Sequence, residues 1–181
     1  PSATGKSTLS KIIVGVWKAT SGVVRLDTGE IYRWNREDFG KHIGYLPQGI
    51  ELFSGSIKQN IARMSEDADP IKVIEAAKTA NVHHFIKSHP FGYDMVLDEN
   101  SNISQGQKQL LTIARAMVAD APMLILDEAT SSVDVRTEIL IQEAMDQLMK
   151  DRTTFVIDEN GIIEDVILKV KTKQHTSQIL E

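Results

Sequence analysis

Pro1-Ser2-Ala3-Thr4-Gly5-Lys6-Ser7-Thr8 is the stretch on which the fold turns. It matches all but the first glycine of G-x-x-x-x-G-K-[ST], a loop whose backbone amides cradle phosphates. Each residue type has a chemical reason. Ser2, Ala3 and Thr4 form the body of the loop, and Gly5 lets it turn tightly enough for its N–H groups to face a phosphate. Lys6 adds a charge that reaches the β/γ oxygens, the Ser7 hydroxyl can ligate Mg²⁺, and Thr8 follows it. Behind the loop, Leu9, Ile12, Ile13 and Val16 recur at i, i+3, i+4 and i+7, which predicts a helix packed on one face. The start of such a helix favours an anion. A capped helix with a chance Gly-Lys-Ser-Thr is the plainer alternative.

A second motif answers the first from far along the chain. Pro122-Met123-Leu124-Ile125-Leu126 is a short continuous apolar run, as a parallel strand covered on both faces requires. It ends abruptly in Asp127-Glu128, and burial explains the run but not the acids, because an unpaired buried carboxylate is costly. At the C-terminal edge of a parallel sheet, beside a phosphate loop, Asp127 can hold Mg²⁺ through water. Glu128 can then orient and polarise an attacking water. A strand that simply exits into solvent is the bland reading.

Between the two lie alternating elements. Gly22 to Leu26 and Glu30 to Tyr32 read as a hairpin around Asp27-Thr28-Gly29, and His42 to Leu46 as a strand ending at Pro47. Asp69-Pro70 is a helix start, a capping carboxylate followed by proline at the first helical position. Val73, Ala76, Ala77 and Ala80 then share a side. From about Ser56 to Asn102 the pattern is helical without strand signals, which predicts a helical insert. Leu110, Ile113, Ala114 and Met117 form another stripe, and Ile141, Ala144, Met145 and Leu148 a further one. Thr153 to Ile157 and Ile162 to Val170 read as strands about a turn at Asp158 to Gly161. Strands alternating with helices predict an α/β domain.

Composition narrows the function. The 181 residues carry 20 Lys+Arg against 25 Asp+Glu, a net charge of −5, with no basic run longer than two. Duplex binders carry a basic face, so no nucleic-acid partner is expected. There is no cysteine, which excludes disulfides and thiolate metal sites. The longest apolar stretches, such as Ile12 to Trp17, fall far short of the ~18 residues that span a bilayer. The chain opens at Pro1 with a motif already under way, so a piece of a longer polypeptide is expected.

Asn102-Ile103-Ser104-Gln105-Gly106-Gln107-Lys108-Gln109-Leu110 lies between the two motifs. Ser104 is placed to cap the helix carrying Leu110 and Ile113, and Gly106 leaves the backbone open to a close ligand. The stretch resembles the L-S-G-G-Q signature of ATP-binding cassette (ABC) ATPases. With it come Gln48 after a strand, the Asp127-Glu128 pair, and Ser131-Ser132-Val133-Asp134, which is similar to the family's D-loop. The motifs stand in the family's order over residues 1 to 157.

That resemblance implies an α/β P-loop NTPase fold with a mostly parallel sheet core and an inserted helical subdomain. Residues 1–55 and 105–157 would form the core, 56–104 the helical subdomain and 158–181 an atypical C-terminal segment. It implies ATP and Mg²⁺ as cofactors, with Ser7, Gln48 and Asp127 at the metal and Glu128, Gln48 and Lys6 as catalytic residues. Ser104, Gly106 and Gln107 would act in trans on a nucleotide held by Gly5, Lys6 and Ser7 of a second nucleotide-binding domain. Two ATPs would thus be sandwiched in a head-to-tail homodimer or heterodimer, with Asp134 crossing its interface. Gln48 would relay the nucleotide state to the transmembrane domain of an exporter, fused or separate, at the cytoplasmic face of the membrane.

Leu52-Phe53-Ser54-Gly55-Ser56-Ile57 with Asn60-Ile61 resembles the exporter branch, where this stretch meets the coupling helices. Residues 1 to about 90 are similar to type I protein-secretion exporters, and Ser101 to Ile157 to multidrug or lipid exporters. Three family pieces are missing: the strand before the phosphate loop, the aromatic that stacks on adenine, and the histidine after Ile157. Asp158-Glu159-Asn160 stands where the family has Ala-His-Arg. Two readings follow: an ATPase powering export, or a truncated or composite cassette that binds ATP with little or no hydrolysis.

Overall fold

The apolar stripe behind Lys6 forms helix α1 (Lys6–Ile13). The structure, a computed structural model, describes residues 6–26, 28–98, 101–127, 133–157 and 163–167, with backbone alone at 6–7, 157 and 163–167. After α1 come β1 (Arg25–Leu26), β2 (Gly29–Glu30), α2 (Arg36–Phe39), β3 (Ile43–Leu46), β4 (Gly55–Ser56) and α3 (Ile57–Ile61). Next are α4 (Pro70–Thr79), α5 (His83–Ser88), β5 (Val96–Leu97), α6 (Gln105–Ala119) and β6 (Met123–Asp127). Then α7 (Val135–Met149), β7 (Thr153–Ile157) and β8 (Ile163–Ile167) follow. These elements sort into two units.

The first unit holds α1, β1, β2, α2, β3, β6, β7 and β8. Its sheet runs β3-β6-β7-β8, with β3, β6 and β7 parallel and β8 antiparallel on β7. The fold class is therefore α/β with a mostly parallel sheet. Leu124, Ile125 and Leu126 are all at most 4% exposed, as a central parallel strand demands. The register sets Tyr45 opposite Ile125, and Ile125 opposite Phe155. Because side chains alternate along a strand, Ile43, Tyr45, Ile125 and Asp127 share one face. Val14, Ile31 and Phe39 pack there with Ile43 and Ile125.

Helix α1 stops short of the stripe through Val16. Gly15 takes a φ of +70°, a conformation that ends helices cheaply only at glycine. The Arg36 guanidinium donates to the Val14 carbonyl at 3.2 Å and to the Gly15 carbonyl, satisfying acceptors the helix end leaves orphaned. Val16 is consequently 59% exposed rather than part of the core.

The second unit holds β4, α3, α4, α5, β5, α6 and α7. Asp69 caps α4, accepting from the Ile71 N–H at 2.9 Å with Pro70 in the first turn. Val73, Ala76, Ala77 and Ala80 are buried. Helix α6 packs against α3, α4 and α7. The stretch that reads as wholly helical also contains a small antiparallel pair, Gly55 opposite Leu97 and Ser56 opposite Val96. Strands of two residues are too short to show an alternating pattern, so periodicity could not reveal them. Among the described residues no helix is long and apolar enough to cross a membrane.

Candidate functional site

Strand β6 carries Asp127 to the C-terminal end of the parallel strands, where open α/β sheets meet their ligands. The residue is 1% exposed. Its Oδ2 accepts from the Tyr45 hydroxyl at 3.3 Å, and its Oδ1 is buried with no hydrogen-bond partner among the described residues. A carboxylate so placed has lost water without full compensation. The missing partner is best supplied by a cation, and a carboxylate oxygen is the hard donor Mg²⁺ takes. Among the described residues no three His, Asp or Glu side chains cluster to hold a metal ion by themselves. On this donor chemistry the residues fit Mg²⁺.

Tyr45 links this carboxylate to α1. Ser10, fully buried on α1, hydrogen-bonds the Tyr45 phenol, which itself donates to Asp127. Burial first, and then the neighbouring Asp127 charge, push the phenol up to about 12. Ser10 lies three residues beyond Ser7 on the same helix. Tyr45 was not readable as a site residue, because only the register of β3 on β6 sets it beside Asp127.

The other residues expected in this half stand as follows. Lys6 and Ser7 open α1, and Thr8 is exposed on its first turn. Gln48 is exposed, two residues beyond the end of β3. Ser2, Ala3, Thr4, Gly5, Glu128 and Glu159 lie outside the described residues.

In the second unit, Ser104 and Gln107 cap α6 reciprocally. The Ser104 Oγ accepts from the Gln107 N–H at 3.2 Å, and the Gln107 Oε1 from the Ser104 N–H at 3.0 Å. This capping box locks the helix start and leaves its first-turn amides and dipole as an anion-favouring end. Gly106 is buried, and the space a Cβ would take is filled by Thr137. Asp134 caps α7, with Oδ1 accepting from the Thr137 N–H at 3.1 Å and Oδ2 from the Thr137 hydroxyl at 2.6 Å. The Thr137 hydroxyl, then its N–H, hold the Asp134 carboxyl below its usual range.

Behind this helix start a polar cluster ties α6 to the chain following Gln48. Fully buried Asn60 accepts from the Phe53 N–H and donates to the Phe53 carbonyl, both at 2.8 Å. Arg115 of α6 donates to the Asn60 carbonyl at 3.0 Å, the Asn60 Oδ1 at 2.8 Å and the Glu51 carbonyl at 3.1 Å. Its guanidinium also sits 4.8 Å from the Phe53 ring. Thr137 and Arg115 carried no signal along the chain; each acts through a neighbour brought near by folding.

The ABC transporter family profile matches residues 1–131. The type I secretion system ATP-binding protein of Rhizobium meliloti is 44% identical over 146 residues, which is 80% of this chain and 25% of that protein. The fatty acid ABC transporter ATP-binding/permease protein of Mycobacterium bovis is 42% identical over 178 residues, 96% of this chain and 28% of its own length. A solved bacterial Atm1-family ABC exporter with ATP bound matches with a TM-score of 0.74 at 29% identity, covering 97% of this chain and 34% of that one. The chain thus spans little more than a quarter of these curated relatives. With the profile running from the phosphate loop through the Asp127 strand, and the fold matched over nearly its whole length, the chain belongs to the ABC transporter family.

Proposed function

We propose that this chain is the ATP-binding and ATP-hydrolysing part of an ABC exporter, working as one half of a head-to-tail dimer. The observation that carries the reading is Asp127, a buried carboxylate at the C-terminal end of a parallel strand with one oxygen unpartnered among the described residues. Gly5, Lys6 and Ser7 would hold the phosphates, while Asp127, Ser7 and Gln48 would hold Mg²⁺. When bound, Mg²⁺ supplies charge neutralisation at the β/γ oxygens. Glu128 would align the attacking water, so the residues contribute mainly positioning and electrostatics.

Ser104, Gly106 and Gln107, at the start of α6, would face the γ-phosphate held by a second copy or a related domain. Asp134 would cross between the two copies. The partner would be a transmembrane domain, fused or separate, placing this domain at the cytoplasmic face of a membrane. Residues 1–55 with 105–157 would supply the nucleotide-binding core, 56–104 the inserted subdomain and 158–181 a variant C-terminal segment.

The test is phosphate release from the purified chain with Mg-ATP, compared with Lys6→Ala and Glu128→Gln. Both variants should lose turnover by about 10²-fold or more. Glu128→Gln should keep nucleotide binding and dimerise with ATP, whereas Lys6→Ala should bind poorly. Turnover indifferent to both substitutions, or no ATP binding at saturating Mg-ATP, would sink the reading.

One observation favours a second reading, in which the chain binds ATP and hydrolyses it little or not at all. Asp158-Glu159-Asn160 follows Ile157, so an acid stands where the family has a histidine that contacts the γ-phosphate. Two negative groups repel, and a lost charge-stabilising contact costs orders of magnitude. Glu159→His raises turnover if this reading holds and leaves it unchanged if the chain is already competent.

A further inference from the structure

Gly106 on α6 and Asp134 before α7 meet at Thr137. Asp134 grips Thr137 twice, at its N–H and at its hydroxyl. Once Oγ1 is held, the chirality of the threonine Cβ leaves its methyl a single direction. That direction is Gly106: a Cβ built on Gly106 would lie 2.1 Å from the Thr137 Cγ2 and 3.3 Å from its Cβ. Val133 Cγ1 lines the same space at 3.5 Å. Real Cβ atoms do not approach other carbons at 2.1 Å, so either the residue at 106 has no side chain or the Asp134–Thr137 bond must yield.

We propose that Thr137 is a positioning residue, orienting Asp134 through its hydroxyl and seating Gly106 through its methyl, so that Asp134 and the start of α6 respond together. Glycine at 106 is then demanded by Thr137 rather than by the approach of a ligand. The two strongest bonds that depress the Asp134 carboxyl come from Thr137, ahead of the Arg136 and Asp134 backbone N–H groups, which fits a grip on the ionised form. The packing half of this inference stands without the nucleotide reading; the coupling half rests on it.

A double-mutant cycle reads the packing. Thr137→Ser keeps the Oγ for Asp134 and removes the methyl facing Gly106. Gly106→Ala alone should lower Tm clearly and Thr137→Ser only slightly. The double variant should melt well above Gly106→Ala, the non-additivity expected of touching residues. Should Gly106→Ala fail to fold, a cooperative melt regained in the double variant is the same result. A double variant no better than Gly106→Ala, or a harmless Gly106→Ala, overturns the packing.

Thr137→Val reads the coupling, since it keeps a methyl beside Gly106 and the N–H bond to Asp134 but loses the hydroxyl bond. In the Glu128→Gln background it should raise the ATP concentration for half-maximal dimerisation about tenfold, as loss of a bond to a charged group implies. Thr137→Ser, which retains that bond, should leave the midpoint near that of Glu128→Gln alone. An unchanged midpoint in Thr137→Val overturns the coupling. If Glu128→Gln with Thr137 intact never dimerises with ATP, the nucleotide reading fails and takes the coupling with it, while the melting cycle still decides the packing.

Discussion

The Tyr45 hydroxyl donates to Asp127 Oδ2 at 3.3 Å from the neighbouring parallel strand, and the other oxygen of that buried carboxylate has no partner among the described residues. Among the described residues only the Tyr45 phenol bonds this buried carboxylate. Asp127→Asn removes the charge and keeps the shape, and should stabilise the free chain by about 1–2 kcal/mol in urea denaturation. The same variant should lose Mn²⁺ binding measured by electron paramagnetic resonance with ATP present. A less stable Asp127→Asn would show that the carboxylate is structurally satisfied.

Tyr45→Phe takes the one bond from Asp127 and should cost about 1–3 kcal/mol of stability. Its alkaline behaviour is also specific. The phenol is raised in the folded state to about 12, so its contribution is fully present below the ordinary value of 10.0 and is lost as pH rises through about 12. Denaturation midpoints of the parent chain should fall over that window, and those of Tyr45→Phe should fall less. Parallel declines in the two proteins would refute the assignment.

Asn60 is the junction of the cluster formed by Phe53, Ser56 and Arg115. Asn60→Ala would strand the Phe53 backbone groups and part of a half-buried guanidinium at once. A loss of about 3 kcal/mol or more is expected, beyond that of a typical core truncation of this size. Hydrogen exchange at the Phe53 amide should accelerate with it. Unchanged exchange there would mean that the loop after Gln48 is held by something else.

At the acid end, the Thr137 hydroxyl and N–H depress the Asp134 carboxyl in the folded chain. A depressed carboxyl contributes stability above its ordinary pKa and loses it as pH falls through the lower folded value. Thr137→Val should therefore flatten part of the acid limb of Tm below the ordinary carboxylate value of 3.8. Equal slopes in the two proteins would place the acid sensitivity in other carboxylates.

How much of this was legible along the chain depends on the distance over which each feature acts. The buried strand ending in Asp127, the Asp69-Pro70 start of α4 and the Ser104–Gln107 cap are local patterns, and each appears where the residues place it. The end of α1 is not legible in the stripe, which Val16 continues, because Gly15 and the distant Arg36 close the helix before it. The β4–β5 pair was invisible because two residues carry no period.

The sequence by itself determined the α/β order, the helix starts and the set of polar residues available for phosphate and metal chemistry. Those follow from period, capping and residue type, which are properties of neighbours along a chain. Only the tertiary structure decided that Tyr45 holds Asp127 by one oxygen, that the other has no partner among the described residues, and that Thr137 occupies the space beside Gly106. Lone-pair satisfaction and Cβ clearance are set by atoms that meet through space: Tyr45 and Asp127 are 82 residues apart, and a one-residue slip of β3 would turn Tyr45 to the opposite face of the sheet.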